Sequence, residues 1–239
     1  DRPGNRKPLY FHAKTSALEA DWITANMRAL HEGEEGVSYS SMGVLYRAHY
    51  VSRALEESLI RNKIPYVLYS GVEFYKRKEI KDVLSYLRMI YNPDDISFLR
   101  TVNEPRRGVG RTRIAAIKAY AAARGCTLYQ ALMDNLETDS FRRCKAKDYV
   151  RLIEKYRAIF DQMDLTDLLA GVLHESGYEQ MLRTAGEEER LDNLAELKQA
   201  IFDFTRKAGE TVTLGNYLDH AALFTNMDTG EKAQAVKLM

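Results

Sequence analysis

Three observations predict a mainly α-helical fold with an α/β part. Short apolar strands alternate with amphipathic helices as far as Ser70. From Gly71 the strand signals stop, and helical periodicity runs unbroken to about residue 228. A single strand-like segment, Ala235 to Met239 (AVKLM), then returns. A helical domain inserted between strands of one parallel sheet accounts for all three.

The elements follow in order. Leu9 to His12 (LYFH) is aromatic-rich and follows Pro8, which predicts a strand. Ser16 and Glu19 form an S-x-x-E capping box. The helix it opens carries Leu18, Trp22, Ile23, Met27 and Leu30 on one face and stops near Gly33. Gly36 to Ser41 is a polar loop. Gly43 to Ala48 (GVLYRA) predicts a second strand, apolar enough to be buried in a sheet. Val51 to Asn62 predicts a helix with Val51, Leu55 and Leu59 inward, and Pro65 introduces a third strand, Tyr66 to Ser70. Three strands are too few for a closed unit, so this part is expected to be incomplete and the chain to be cut from a longer protein.

Beyond Gly71, Lys78 to Tyr91 places Ile80, Val83, Leu84, Leu87 and Ile90 on one stripe. Asn92-Pro93-Asp94-Asp95 stops that helix and caps a short one bearing Phe98, Leu99 and Val102. Further helices are predicted at Thr112–Arg124, Thr127–Leu136, Ala146–Gln162, Leu165–Ser176, Glu188–Lys207 and Thr213–Phe224, with Gly125 and Gly177 as exits.

Composition narrows the chemistry. The chain has 239 residues, 45% hydrophobic and 29% charged, which is enough for one large or two modest domains with real cores. It holds no run of eighteen apolar residues and its polar start is no signal peptide, so no membrane is expected as a partner. Cys126 and Cys144 lie outside any C-x-x-C and are read as free thiols in a reducing, cytoplasmic setting. The five histidines are scattered, without H-x-x-x-H or H-E-x-x-H, which argues against a zinc site. No G-x-S-x-G is present. No glycine is followed by lysine, so there is no G-x-x-x-x-G-K-[ST] phosphate loop. Nor does an apolar run end in Asp-Glu to hold Mg²⁺. No catalytic residue and no metal ligand is therefore assigned.

Asn103 to Lys118 (NEPRRGVGRTRIAAIK) concentrates the charge. From Arg100 to Lys118, six bases (Arg100, Arg106, Arg107, Arg111, Arg113 and Lys118) stand against one acid, Glu104, in a chain whose total is only +1. Pro105 closes the preceding helix. Gly108 and Gly110 flank Val109 and let the backbone turn tightly and approach a partner, and a β-branched side chain at Gly110 is expected to disfavour a positive φ there. Thr112 is the expected N-cap of the next helix. A glycine hairpin feeding a helix N-terminus aims unpaired N–H groups outward, which suits a phosphate.

Gly71-Val-Glu-Phe-Tyr-Lys-Arg-Lys-Glu-Ile-Lys-Asp-Val-Leu-Ser-Tyr-Leu-Arg88, with Leu45-Tyr46-Arg47 and Arg53-Ala-Leu-Glu-Glu57, closely resembles the UvrD/PcrA/Rep family of superfamily 1 DNA helicases. The likeness runs over essentially the whole chain. Its most specific element is F-Y-x-R-x-E-I-K-D-x-L-x-Y-L-R, followed by Asn92-Pro-Asp-Asp95 and Pro105-Arg-Arg-Gly-Val-Gly110. The resemblance implies that residues 1–70 are part of a RecA-like 2A motor domain, residues 71–228 a helical 2B domain inserted into its incomplete parallel sheet, and residues 229–239 the return strand.

The resemblance also implies the function. The whole protein is expected to be an ATP- and Mg-dependent 3′-to-5′ DNA helicase of repair or replication type. This segment, with neither cofactor bound, would hold duplex or junction DNA and regulate unwinding. The implied DNA-binding set is Arg106, Arg107, Gly108, Val109, Gly110, Arg111 and Thr112, with Arg47 on the single-strand side. His49 stands where the family usually has asparagine; histidine still donates to a phosphate or stacks on a base. Arg77, Glu79, Lys81 and Asp82 are expected to be hinge and surface salt bridges, and Phe74 and Tyr75 packing aromatics. Two alternatives stand beside this: a protein-interaction or autoinhibitory module that meets accessory repair proteins, or the motor part of a helicase–nuclease.

Overall fold

Local capping and apolar periodicity place most elements. The computed structural model describes residues 8–34, 36–69, 71–208, 212–226 and 234–239. The chain divides into two compact units, Asp1–Glu73 with Met227–Met239, and Phe74–Asn226. Helix dominates the described residues, beside one small sheet.

In the first unit, Thr15 rather than Ser16 caps helix α1 (Ser16–Glu32), its hydroxyl accepting from the Leu18 N–H. The third helical position is then Leu18 rather than Glu19, so the expected capping box does not form, and the buried face also differs from the expected one. Ala20, Thr24 and Met27 point inward, while Leu18 and Leu30 are exposed. The burial of Thr24 is offset by a 3.0 Å hydrogen bond between its hydroxyl and that of Ser58 on helix α2 (Ser52–Arg61). Strands β1 (Gly43–Val44), β2 (Tyr66–Leu68) and β3 (Val236–Leu238) form a parallel sheet in the order β1-β3-β2. Gly43 pairs with Lys237 and Tyr66 with Val236, so the last strand lies in the middle. Met27, Met42, Leu59, Ile64, Tyr66, Val236 and Leu238 make the core.

Three expectations fail in this unit. Leu9 to His12 is not a strand; Leu9 and Tyr10 are exposed, and Phe11 instead stacks on Trp22 at 4.5 Å. The second strand is cut to two residues, with Leu45 82% exposed, because β3 offers it only a short paired edge. Val51 sits in a 3-10 turn, His49–Val51, and is partly exposed.

The second unit is helical: α3 (Lys78–Tyr91), α4 (Asp95–Thr101), α5 (Arg111–Arg124), α6 (Leu128–Asn135), α7 (Asp139–Arg142), α8 (Ala146–Arg157), α9 (Leu165–Ser176), α10 (Tyr178–Ala185), α11 (Glu188–Ala208) and α12 (Leu214–Asn226). The stripe Ile80, Val83, Leu84, Leu87 and Ile90 on α3 is buried, as its spacing predicts. Helix α3 packs against α4, α8, α11 and α12 and is the hub of the unit. Asp94 caps α4 by accepting from the Ser97 N–H. Helices α7 and α10 are absent from the sequence-based expectation. The second runs between Gly177 and Gly186, both left-handed at φ 75° and 68°, so glycines set both its ends, whereas the sequence pattern marks only Gly177, and only as an exit. The predicted helix from Ala146 stops at Arg157 and gives way to a 3-10 turn at Phe160–Gln162.

Phe74 and Tyr75 are buried packing aromatics, Tyr75 stacked on Phe224 at 5.4 Å. The charged residues beside them are not surface pairs. Arg77, Glu79 and Asp82 are all buried. Asp82 accepts from Lys78 Nζ and Arg100 at 2.9 Å each and from the Tyr178 hydroxyl at 2.8 Å. Asn193 on α11 bridges the other two, accepting from Arg77 and donating to Glu79, both at 2.6 Å. The acidic part of the F-Y-x-R-x-E-I-K-D run is thus interior scaffold, each charge held by hydrogen bonds that offset its desolvation.

Candidate nucleic-acid interface

The loop between α4 and α5 is built from its own side chains upward. Asn103 Oδ1 accepts from the backbone N–H of Arg107 at 2.9 Å and of Val109 at 3.0 Å, closing the hairpin. Val109, 1% exposed, pins the tip into the core. Gly108 takes φ 77°, a conformation that favours glycine, and a Cβ there would come within 3.1 Å of the Cys144 Cβ. Gly110 differs. It is extended, at φ −83° and ψ −171°, and a Cβ there would meet nothing within 4 Å. The expectation of a positive φ at Gly110 is therefore wrong; the left-handed position is Gly108.

Gly110, not Thr112, is the N-cap of α5, and Thr112 lies exposed in the first turn. Glycine offers no side chain to cap that turn, so the N–H groups that open α5 remain available to an external acceptor. Beside them lies an open depression of about 500 Å³ lined by Asn103, Arg106, Gly108, Gly110, Arg111, Thr112 and Arg113.

The arginines divide sharply. Arg106 and Arg111 are exposed and form no ion pair among the described residues. Arg113 braces the loop, donating at 2.6 Å to both Gly108 O and Ser140 O. Arg100 is held by Asp82. Arg107 is only 7% exposed. Its guanidinium donates to Thr101 O and Ser176 O at 3.0 Å and to Pro105 O at 3.3 Å, and it lies over the rings of Tyr86 and Tyr149. Burial pushes the Tyr86 phenol up to about 12 and Tyr149 well above the ordinary phenol range, so both rings stay neutral beneath the cation. As a phosphate contact Arg107 is corrected: its charge faces carbonyl oxygens inside the unit.

Val109 is likewise a packing residue by its side chain. Asn103, which closes the turn, is missing from the set that sequence reasoning supplies. Its bonds run to residues four and six positions on, beyond the two-residue reach of an ordinary Asx turn, so the local pattern gives no signal that marks it.

Arg47 and His49 belong to the first unit and the hairpin residues to the second. Arg47 is exposed. His49 is partly buried, its ring 6.4 Å from that of Tyr46 and close to Gly71, while its carbonyl accepts from Ser52.

Among the described residues no three His, Cys, Asp or Glu side chains gather to hold a metal, and the chain has no phosphate loop. No described helix is long and apolar enough to cross a membrane.

Comparison with known proteins gives a consistent set. The sequence profile of the UvrD-like helicase C-terminal domain matches residues 2–239. The chain is 32% identical over 245 residues to the ATP-dependent DNA helicase PcrA of Staphylococcus epidermidis, covering 99% of this chain and 33% of that protein. It is 34% identical over 228 residues to PcrA of Bacillus subtilis, covering 93% of this chain and 31% of the relative. PcrA of Staphylococcus aureus is 31% identical over 239 residues, 96% of this chain and 32% of its own length. The chain thus spans about a third of each relative.

Proposed function

The chain belongs to the UvrD-like helicase C-terminal domain family, and from that premise we propose that it is part of an ATP-driven 3′-to-5′ DNA helicase of repair or replication type, in which the α4–α5 hairpin holds duplex DNA. In this reading residues 1–70 and 229–239 belong to a RecA-like 2A motor domain and residues 71–228 are the inserted 2B domain. The division of the chain into a two-segment sheet unit and a helical unit supports that assignment. ATP and Mg²⁺ would serve the whole motor through residues outside this chain, which by itself is expected to turn over no ATP.

One observation carries the DNA-binding proposal. Arg106 and Arg111 flank a rigid, uncapped helix start whose hairpin is fastened by Asn103, Val109 and the buried Arg107. Backbone N–H groups, a helix dipole and two exposed guanidiniums then border one open depression and favour phosphates there. A phosphate of the DNA backbone fits an uncapped helix start, and contacts of that kind position a duplex without reading its bases. Affinity should accordingly be nearly independent of base composition.

The test is duplex binding by fluorescence anisotropy across a salt series, comparing the chain with its Arg106→Ala/Arg111→Ala variant. The log–log salt slope should flatten by about one to two units, at roughly 0.9 for each phosphate that is no longer neutralised. A folded variant with unchanged affinity and slope refutes the hairpin as the DNA contact. Absence of any salt-sensitive binding by the unaltered chain favours the protein-interaction alternative.

A further inference from the structure

We propose that the Arg143–Lys145 turn between α7 and α8 is a second cationic element of the same interface and engages the DNA phosphate backbone together with the hairpin; this rests on the duplex-binding reading above. The two segments are far apart in sequence but fastened in space. The Lys145 N–H donates to Arg107 O at 2.9 Å. Arg113 ties the hairpin to the residue that opens this region, donating at 2.6 Å to Gly108 O and to Ser140 O. Cys144 stands so close to Gly108 that a Cβ on the glycine would come within 3.1 Å of it. Backbone bonds and van der Waals contact therefore make the turn and the hairpin tip one rigid surface.

Charge on that surface is distributed unevenly. The acids of the turn are taken by their neighbours: Glu137 by Lys147 at 2.7 Å and by Arg142 at 4.0 Å, Asp139 by Arg142 at 3.9 Å. Lys147 holds the Glu137 carboxyl below its ordinary pKa, so it stays an anion and occupies that lysine. Arg143 and Lys145, on either side of Cys144, are exposed and make no ion pair among the described residues. With Arg106 and Arg111 they make four exposed, unneutralised cations on two segments that touch. Such an arrangement is self-repelling without an anion, and a polyanion with regularly spaced charges relieves it at several points at once. An acidic side chain or a single phosphate could answer one cation; an extended phosphate backbone answers both segments.

The experiment uses the 239-residue chain and a fluorescein-labelled duplex with a single-stranded tail, titrated by anisotropy across a salt series. Arg143→Ala/Lys145→Ala should flatten the salt slope by about one to two units, and Arg143→Gln/Lys145→Gln, which keeps the aliphatic stems, should do the same. Arg142→Ala, whose guanidinium already serves acids, should leave the slope unchanged. Circular dichroism melts must match the unaltered chain for each variant. If both double variants bind with unaltered affinity and slope while Arg106→Ala/Arg111→Ala weakens binding, the second element is refuted and the hairpin stands alone. If the hairpin variant is unaffected, or the unaltered chain fails to bind duplex, the underlying reading falls instead, and this one with it.

Discussion

Replacing Arg107 by Ala separates a phosphate contact from an internal strut. The guanidinium makes two hydrogen bonds at 3.0 Å and one at 3.3 Å to backbone carbonyls, and covers two aromatic rings at 5.3 and 5.8 Å. Hydrogen bonds to a charged donor contribute about 1.5–3 kcal/mol each, and the low end applies because the folded guanidinium has given up its hydration. The two shorter bonds then contribute about 3 kcal/mol, and the ring contacts up to about 1 kcal/mol more. Thr101 O keeps a bond from the Tyr86 hydroxyl at 3.3 Å, which limits the loss. Arg107→Ala should therefore cost about 3–4 kcal/mol, or on the order of 10 °C in Tm for a chain of this size. Thermal and urea unfolding followed by circular dichroism read this directly. Arg107→Lys, which keeps the charge but not the planar fork, should fall between the two. At a temperature where both proteins are folded, duplex affinity should drop because the hairpin is loosened, while the salt slope should stay that of the unaltered chain. An Arg107→Ala protein that melts normally but loses about 0.9 unit of slope would place this arginine on DNA and refute the interior role.

Two further outcomes concern the hairpin glycines and one an ion pair. Gly108→Ala should lower stability by about 1–2 kcal/mol in denaturant titrations, through a strained φ and the Cys144 contact. Gly110→Val should lower stability by no more than about 1 kcal/mol, glycine being the better N-cap, and should weaken duplex binding further, because the added side chain meets no protein atom within 4 Å and stands where a ligand approaches; a Gly110→Val chain that binds normally rules out close approach at the helix start. The Glu175 carboxyl is held below its ordinary value of 4.5 mainly by Lys155, with the Tyr156 hydroxyl assisting. Its contribution to stability is complete above that value and is lost as pH falls through the lowered pKa. Glu175→Gln should flatten the acid limb of the stability profile by well under about 1 kcal/mol, since the pair is solvent-screened. An unchanged acid limb would show that the pair contributes nothing.

The sequence by itself determined the helix-rich class, the inward stripe of α3, the end strand and the place of the basic hairpin. Each is a local signal: apolar residues at the helical period mark a buried face, and a proline and two glycines mark a turn whatever surrounds them. The family likeness was legible for the same reason, in a contiguous run from Phe74 to Arg88. Only the tertiary structure decided which charges point outward. Arg106 and Arg107 are adjacent and identical, yet one meets solvent and the other is enclosed by Ser176 O, a carbonyl 69 residues away at the end of α9. Asp82 reads as a surface acid until Tyr178 and Arg100 are brought to it. Leu9 to His12 has strand composition but finds no partner strand among the described residues. Burial of a polar group depends on acceptors and donors contributed from elsewhere in the fold, and no periodicity along the chain reports where they will arrive.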